Sequence, residues 1–151
     1  MNINYKKLAI YILIPLLLGT LIGFLSGSFN GYKQMIKPSF APPGMIFPIV
    51  WSILFILMGI SRYLIEINGN DVDAVFIYNL QLFINLVWSF FFFTFKWYLF
   101  SFVWVLLLIA VVFIMIYKFY KISKVSAFLQ IPYSLWLLFA AVLNFSIYTL
   151  N

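Results

Sequence analysis

An all-α membrane protein, a bundle of five transmembrane helices, is what this 151-residue sequence predicts. Hydrophobic residues make up 66% of the chain and charged residues only 8%, against roughly 25% charged in a soluble globular domain. The apolar stretches come in several runs, each near the ~20 residues that a helix needs to cross ~30 Å of hydrocarbon. None shows the period-two alternation of a transmembrane barrel, and in lipid the helix satisfies its own backbone polar groups. A single domain spanning residues 1–151 follows.

Composition also excludes chemistry. There is no cysteine and no histidine, so disulfides, thiolate or imidazole metal sites and the usual imidazole base are absent from the repertoire. The three carboxylates, Glu66, Asp71 and Asp73, cluster around one loop. Ordinary acid–base catalysis therefore has almost no candidates, and no metal site is expected. The net charge of +6 would suggest nucleic acid in a soluble protein. Here the basic residues flank apolar runs, which is a topology signal, so the expected partner is the lipid bilayer and not nucleic acid.

The first span covers about 6–27. Lys6 and Lys7 precede it as in a signal peptide, but no small-residue cleavage site follows and the run is long enough to span. Gly19, Gly23 and Gly27 recur every fourth residue and share a face that permits close helix approach, either within the bundle or at a dimer seam. Residues 28–43 form a loop in which Pro38, Pro42 and Pro43 each fix φ and restrict the residue before them. This is a shaped segment, and its position over the aromatic start of the next helix suggests a lid.

The second span, about 44–65, carries Pro48 early enough to be tolerated, with Trp51 and Phe55 facing together. Arg62 and Glu66 stand four apart at its far end and mark the water interface. Asn68-Gly69-Asn70-Asp71 is a turn. The third span, about 73–95, has Asp73 at its amino end, where a carboxylate suits the helix dipole. Gln81, Asn85, Trp88 and Phe92 fall on one stripe that should face the bundle interior. Interhelical hydrogen bonding and lining a ligand cavity are both open to it.

Lys96, Trp97 and Tyr98 make a short interfacial connection. The fourth span, about 99–120, is aliphatic and aromatic with little punctuation. In the fifth, about 125–150, Pro132, Trp136, Ala140, Asn144 and Tyr148 recur every four residues on a drifting face, which serves packing or a binding site. Lys6, Lys7, Arg62, Lys118, Lys121 and Lys124 fall on one side, and Lys33, Lys37 and Lys96 on the other. The positive-inside rule then places the amino terminus inside and the lid and carboxyl terminus outside a bacterial-type plasma membrane.

Tyr32-Lys33-Gln34-Met35-Ile36-Lys37-Pro38, Pro42-Pro43-Gly44 and Phe47-Pro48-Ile49-Val50-Trp51 together resemble the loop and second-helix signature of the translocator protein, or tryptophan-rich sensory protein, family. Gln81, Asn85, Trp88 and Ser89 resemble its third-helix pattern, and Pro132-Tyr133, Trp136, Phe139-Ala140 and Leu143-Asn144 its fifth. The resemblance implies a five-helix bundle, often a homodimer, with a cavity under the first loop for protoporphyrin IX and similar lipophilic ligands, and no required cofactor. By position it implies Tyr32, Pro42, Trp51, Asn85, Trp88, Trp136, Ala140 and Asn144 as lining or loop residues, with Phe55 where the family often has tyrosine. Two departures stand out. Gly31 occupies a position that is usually tryptophan, and no basic residue follows Tyr148, so the family's sterol-recognition pattern is incomplete.

The residues alone also suit a porphyrin. Trp51, Phe55, Trp88 and Trp136 offer aromatic faces to a flat macrocycle. Lys33, Lys37 and the amino end of the second helix lie where propionates would need positive charge or donors. Without His or Cys, strong axial ligation of haem iron would depend on Tyr or Met, so a metal-free porphyrin is the expected preference. The leading reading is thus a membrane receptor or sensor. A carrier of hydrophobic molecules and a light-dependent porphyrin-degrading activity, carried by Trp51 and Trp136, are the alternatives, with a purely structural membrane protein as the plain one.

Overall fold

The computed structural model describes residues 2–151 and is all-helical, with no strand among them. Five helical segments are long and apolar enough to cross a membrane: Tyr5–Leu25, Ile46–Ile67, Val72–Thr94, Tyr98–Ile122 and Lys124–Leu150. We label the helices α1 (Tyr5–Leu25), α2 (Ser28–Gly31), α3 (Ile46–Ile67), α4 (Val72–Ser89), α5 (Tyr98–Ile122), α6 (Lys124–Leu129) and α7 (Ile131–Leu150).

Local chemistry explains the ends. Asn4 Oδ1 accepts from the Lys7 amide at 3.1 Å and starts α1. That helix stops at Leu25, short of the expected 27, because Gly27 takes a left-handed φ of 78°. The third span is capped by Asp71, whose Oδ1 accepts from the Ala74 amide at 2.9 Å, while Asp73 sits in the first turn. Ser123 caps α6 in the same way. The loop runs further than expected, so that α3 begins at Ile46 with Pro48 in its first turn. Two breaks escaped the hydropathy pattern: α4 passes into a π-helical turn over Phe90–Thr94, and the last span is interrupted at Gln130 just before Pro132.

The core lies between α3, α4, α5 and α7, with Met58, Ile65, Val112, Met115 and Phe119 fully buried. α1 is peripheral, its one buried residue being Pro15. It is held by a close approach at Gly59 of α3, where an added Cβ would lie 2.4 Å from Ile12 Cα and 2.5 Å from the Tyr11 carbonyl oxygen. Gly19 packs likewise inside the bundle, against the Phe55 ring. The expected shared face of Gly19, Gly23 and Gly27 is thus divided between a bundle contact and a helix end.

Lipid tails give little hydrophobic reason for helices to associate, so polar pairs and small residues carry more of the load. Ser61 of α3 and Ser126 of α6 each donate to the other's carbonyl oxygen at 2.8 Å. At the same end, Glu66 pairs with Lys7 at 2.7 Å and accepts from the Tyr11 hydroxyl. Arg62 does not mark a water interface beside Glu66. It is only 7% exposed, with its guanidinium 4.7 Å from the Tyr11 ring centroid. Its helix turn points it inward at Tyr11, and Glu66 is already taken by α1.

A lidded aromatic cavity

The segment between α1 and α3 folds over one end of the bundle. After α2 a tight 3₁₀ turn over Tyr32–Gln34 drops Tyr32 and Met35 inward, each 7% exposed, onto Phe92, Leu143 and Ile147. The prolines shape the return: Ala41 N–H donates to the Pro38 carbonyl at 3.1 Å and Ile46 N–H to that of Pro43 at 3.0 Å. Three side chains fasten this lid. The Tyr32 hydroxyl donates to the Pro42 carbonyl at 2.7 Å. Lys37 Nζ donates to the carbonyls of Tyr32 and Met35 and sits 4.8 Å from the Tyr32 ring centroid. The Asn151 side chain accepts from the Ile36 amide at 3.2 Å and donates to its carbonyl at 2.8 Å. Burial pushes the Tyr32 hydroxyl above the usual phenol range, so it remains a neutral donor at neutral pH.

Beneath the lid lies a cavity of about 220 Å³. The stripe expected on the third span faces it or the core behind it: Asn85, Trp88 and Phe92 line the cavity, and Gln81 is buried below. Trp51 and Phe55 come from α3, and Trp136, Ala140 and Asn144 from α7. The outer members of the four-residue series on the last span, Pro132 and Tyr148, are exposed instead. Each step of four residues overshoots a helical turn by about 40°, so a long series leaves the face it started on. Lys37 and Pro42 stand behind Tyr32 as its braces and are not on the cavity wall.

The walls are aromatic. Trp51 and Phe55 rings lie 5.5 Å apart, Trp88 stacks on Phe92 at 4.8 Å, and Trp136 meets Phe47 at 5.8 Å and Phe139 at 5.2 Å. The π-helical turn presents Phe92 and Phe93 together, and its Thr94 hydroxyl ties it to the Ser26 carbonyl at 2.9 Å. Such turns recur at functional sites because they re-aim side chains. Phe93 also explains what Gly31 permits: a Cβ at Gly31 would meet the Phe93 ring at 3.1 Å, so the ring occupies the space beside the glycine.

Few polar groups reach this space unpaired. Thr20, Ser28 and Ser52 donate to carbonyls of their own chain segments. Trp88 Nε1 donates to Asn144 Oδ1 at 3.1 Å, and Asn144 Nδ2 to the Tyr98 carbonyl at 2.9 Å. No lysine, arginine or carboxylate lines the wall. The Trp51 and Trp136 indoles have no acceptor among the described residues and remain available as donors.

The sequence model of the TspO/MBR family matches residues 11–150. The chain belongs to the TspO/MBR family. It is 36% identical over 152 residues to the tryptophan-rich protein TspO of Archaeoglobus fulgidus, covering 98% of this chain and 99% of that protein. It is 35% identical over 140 residues to the protein of the same name from Chlorobaculum tepidum, covering 86% of this chain and 89% of the relative. The translocator protein of Sus scrofa is 31% identical over 146 residues, with 89% and 86% covered. Membership thus agrees with the three motifs on which the sequence resemblance rests, and it makes this chain an integral membrane protein of the TspO/MBR type.

Sequence reasoning missed several participants in this TspO/MBR cavity. Phe47 and Phe93 were legible as aromatic residues near the right spans, but nothing in their spacing aimed them inward. Tyr133 appeared only as part of a motif, and its hydroxyl turns out to hold two buried amides of α4.

Proposed function

We propose that this TspO/MBR member is a membrane receptor for porphyrins, with protoporphyrin IX the expected ligand, held in the cavity under the lid. The observation that carries the reading is the convergence of Trp51, Trp88 and Trp136, from three helices, on one largely apolar space. Flat aromatic ligands gain roughly 0.5–1.5 kcal/mol per ring pair beyond area burial. The wall holds no histidine, cysteine or carboxylate, which supports a metal-free ring over haem. The absence of a cationic wall residue suits an arrangement with the propionates at the lid edge, near exposed Lys33, and the hydrophobic edge inside.

The cavity of about 220 Å³ is smaller than the ~300–1,000 Å³ of sites that enclose drug-sized ligands. A macrocycle therefore requires the lid to lift or the aromatic walls to part. The test is a dark titration of the detergent-purified protein with protoporphyrin IX, following porphyrin absorbance and tryptophan fluorescence. Saturable binding with quenching is expected, with affinity falling about two- to tenfold in Trp136→Phe; absence of saturation would refute the reading. Tyr32→Phe keeps the ring and removes the bond to Pro42, a loss of about 1 kcal/mol. The porphyrin should then leave about fivefold faster in stopped-flow displacement.

A further inference from the structure

Below the cavity, four buried side chains form one hydrogen-bonded file. Asn85 Nδ2 donates to the Tyr133 hydroxyl at 2.6 Å, that hydroxyl donates to Gln81 Oε1 at 2.8 Å, and Gln81 Nε2 approaches Met58 Sδ at 3.9 Å. Met58 and Gln81 are 0% exposed and Tyr133 1%. Asn85 alone of the four reaches the cavity wall.

The file has a direction, and its far end sets it. A thioether sulfur has no hydrogen and acts only as an acceptor. The amide nitrogen of Gln81 must therefore face Met58, which leaves its carbonyl for Tyr133. The tyrosine hydroxyl has one proton and gives it to that carbonyl, so its oxygen must accept from Asn85. Asn85 spends its NH₂ on Tyr133, and its Oδ1 has no partner among the described residues. Reversing Gln81 would reverse every bond and turn the Asn85 amide nitrogen toward the cavity. It would also set the Gln81 carbonyl against an acceptor-only sulfur.

We infer that Asn85 Oδ1 is a hydrogen-bond acceptor for bound ligands, that Met58 fixes this polarity through Gln81 and Tyr133, and that among small aromatic ligands that reach this end the cavity favours those bearing an N–H or O–H donor, a preference that the apolar edge of a porphyrin does not use. This rests on the reading of the cavity as a small-molecule site but not on porphyrin as its occupant. With the Trp51 and Trp136 indoles as donors elsewhere on the wall, the site suits an aromatic ligand bearing both an acceptor and a donor. It disfavours a carboxylate at the Asn85 end, where the carbonyl dipole repels it. Asn85 is the contact residue, and Met58, Gln81 and Tyr133 are positioning residues.

The test is a matched pair of bicyclic probes, 2-naphthol and 2-methoxynaphthalene, differing in one O–H, titrated by tryptophan quenching against the full-length protein, Asn85→Leu and Met58→Leu. The two probes partition differently into detergent, so the quantity read is the change in their affinity ratio between proteins. Wild type is expected to favour the naphthol about fivefold over the ratio seen in Asn85→Leu. Met58→Leu conserves volume at a buried position and does not touch the cavity wall. It frees Gln81 to turn, and the ratio should drop to within about twofold of the Asn85→Leu value while both probes still bind. Equal ratios in wild type and Asn85→Leu, or no binding of either probe, would overturn the acceptor. A ratio lost in Asn85→Leu but intact in Met58→Leu would overturn the role of the sulfur. Donor preference in a protein that fails to bind protoporphyrin IX would uphold this inference and refute the porphyrin reading.

Discussion

Ala140→Trp is expected to abolish saturable porphyrin binding while leaving the protein folded. Ala140 lies on the cavity wall between Trp136 and Asn144, one turn away on either side. An indole there points into the open space, so it avoids the strain that extra volume causes in a filled core. It also consumes a large part of a cavity of about 220 Å³. A macrocycle that already needs the walls to part would then have to displace one more aromatic ring, and a built-in clash of this kind should weaken affinity at least about a hundredfold, or ~2.7 kcal/mol. Val142→Trp, on the exposed face of the same helix, is the control and should bind as wild type does. Dark titration with protoporphyrin IX reads both. Unchanged affinity in the alanine variant would place the ligand elsewhere.

Gly59→Val should have the largest effect on the fold. The atoms that its Cβ would meet, Ile12 Cα and the Tyr11 carbonyl oxygen, belong to the backbone of α1 and cannot rotate away. α1 must then move off α3, which separates Tyr11 and Lys7 from Glu66 and the Asn4 amide from the Tyr63 hydroxyl at 2.8 Å. Overpacking typically costs 1–3 kcal/mol, and adding the loss of these polar contacts raises the expected destabilisation to about 3 kcal/mol or more. The measurement is the thermal midpoint and the monodisperse fraction in detergent. Gly19→Ala makes an instructive comparison. Its Cβ would overlap the Phe55 ring at 2.2 Å, but that is a side chain at the cavity edge with space to swing into. It should fold and bind more weakly. If Gly59→Val proved as stable as wild type, the close approach of α1 would not be what holds it.

How far these features could be read from the sequence depends on which physical quantity encodes them. Span number follows from hydropathy and length, and the five spans agree with it. The face of the third span was legible because Gln81, Asn85, Trp88 and Phe92 obey the helical period and polar side chains at membrane depth turn inward. The π-helical turn was not, since Phe90–Thr94 is a run of phenylalanines followed by threonine with no proline or glycine to signal a change of winding. Lys37 was expected to meet ligand carboxylates from its charge and its side of the membrane. In the structure it donates to two lid carbonyls, a bracing role set by the local turn at Tyr32 that its charge alone did not signal. Arg62 and Glu66 were expected to mark the water interface because spacing reports only neighbours on the same helix. The decisive partners, Lys7 and Tyr11, come from another helix, more than fifty positions away. The polarity of Asn85 was hidden for the same reason, because it depends on a sulfur on α3 acting through α7.

The lipid-facing side of the bundle offers a rival aromatic surface, with Phe91, Trp97, Phe100 and Trp104 in mutual ring contact outside the cavity. A structure of the protein prepared in the dark with protoporphyrin IX therefore tests the central claim most directly. The account predicts density for the macrocycle under the lid, between Trp51, Trp88 and Trp136, with its propionates toward the lid edge. Density confined to the Phe91–Trp104 surface, with the lidded cavity unchanged, would contradict it.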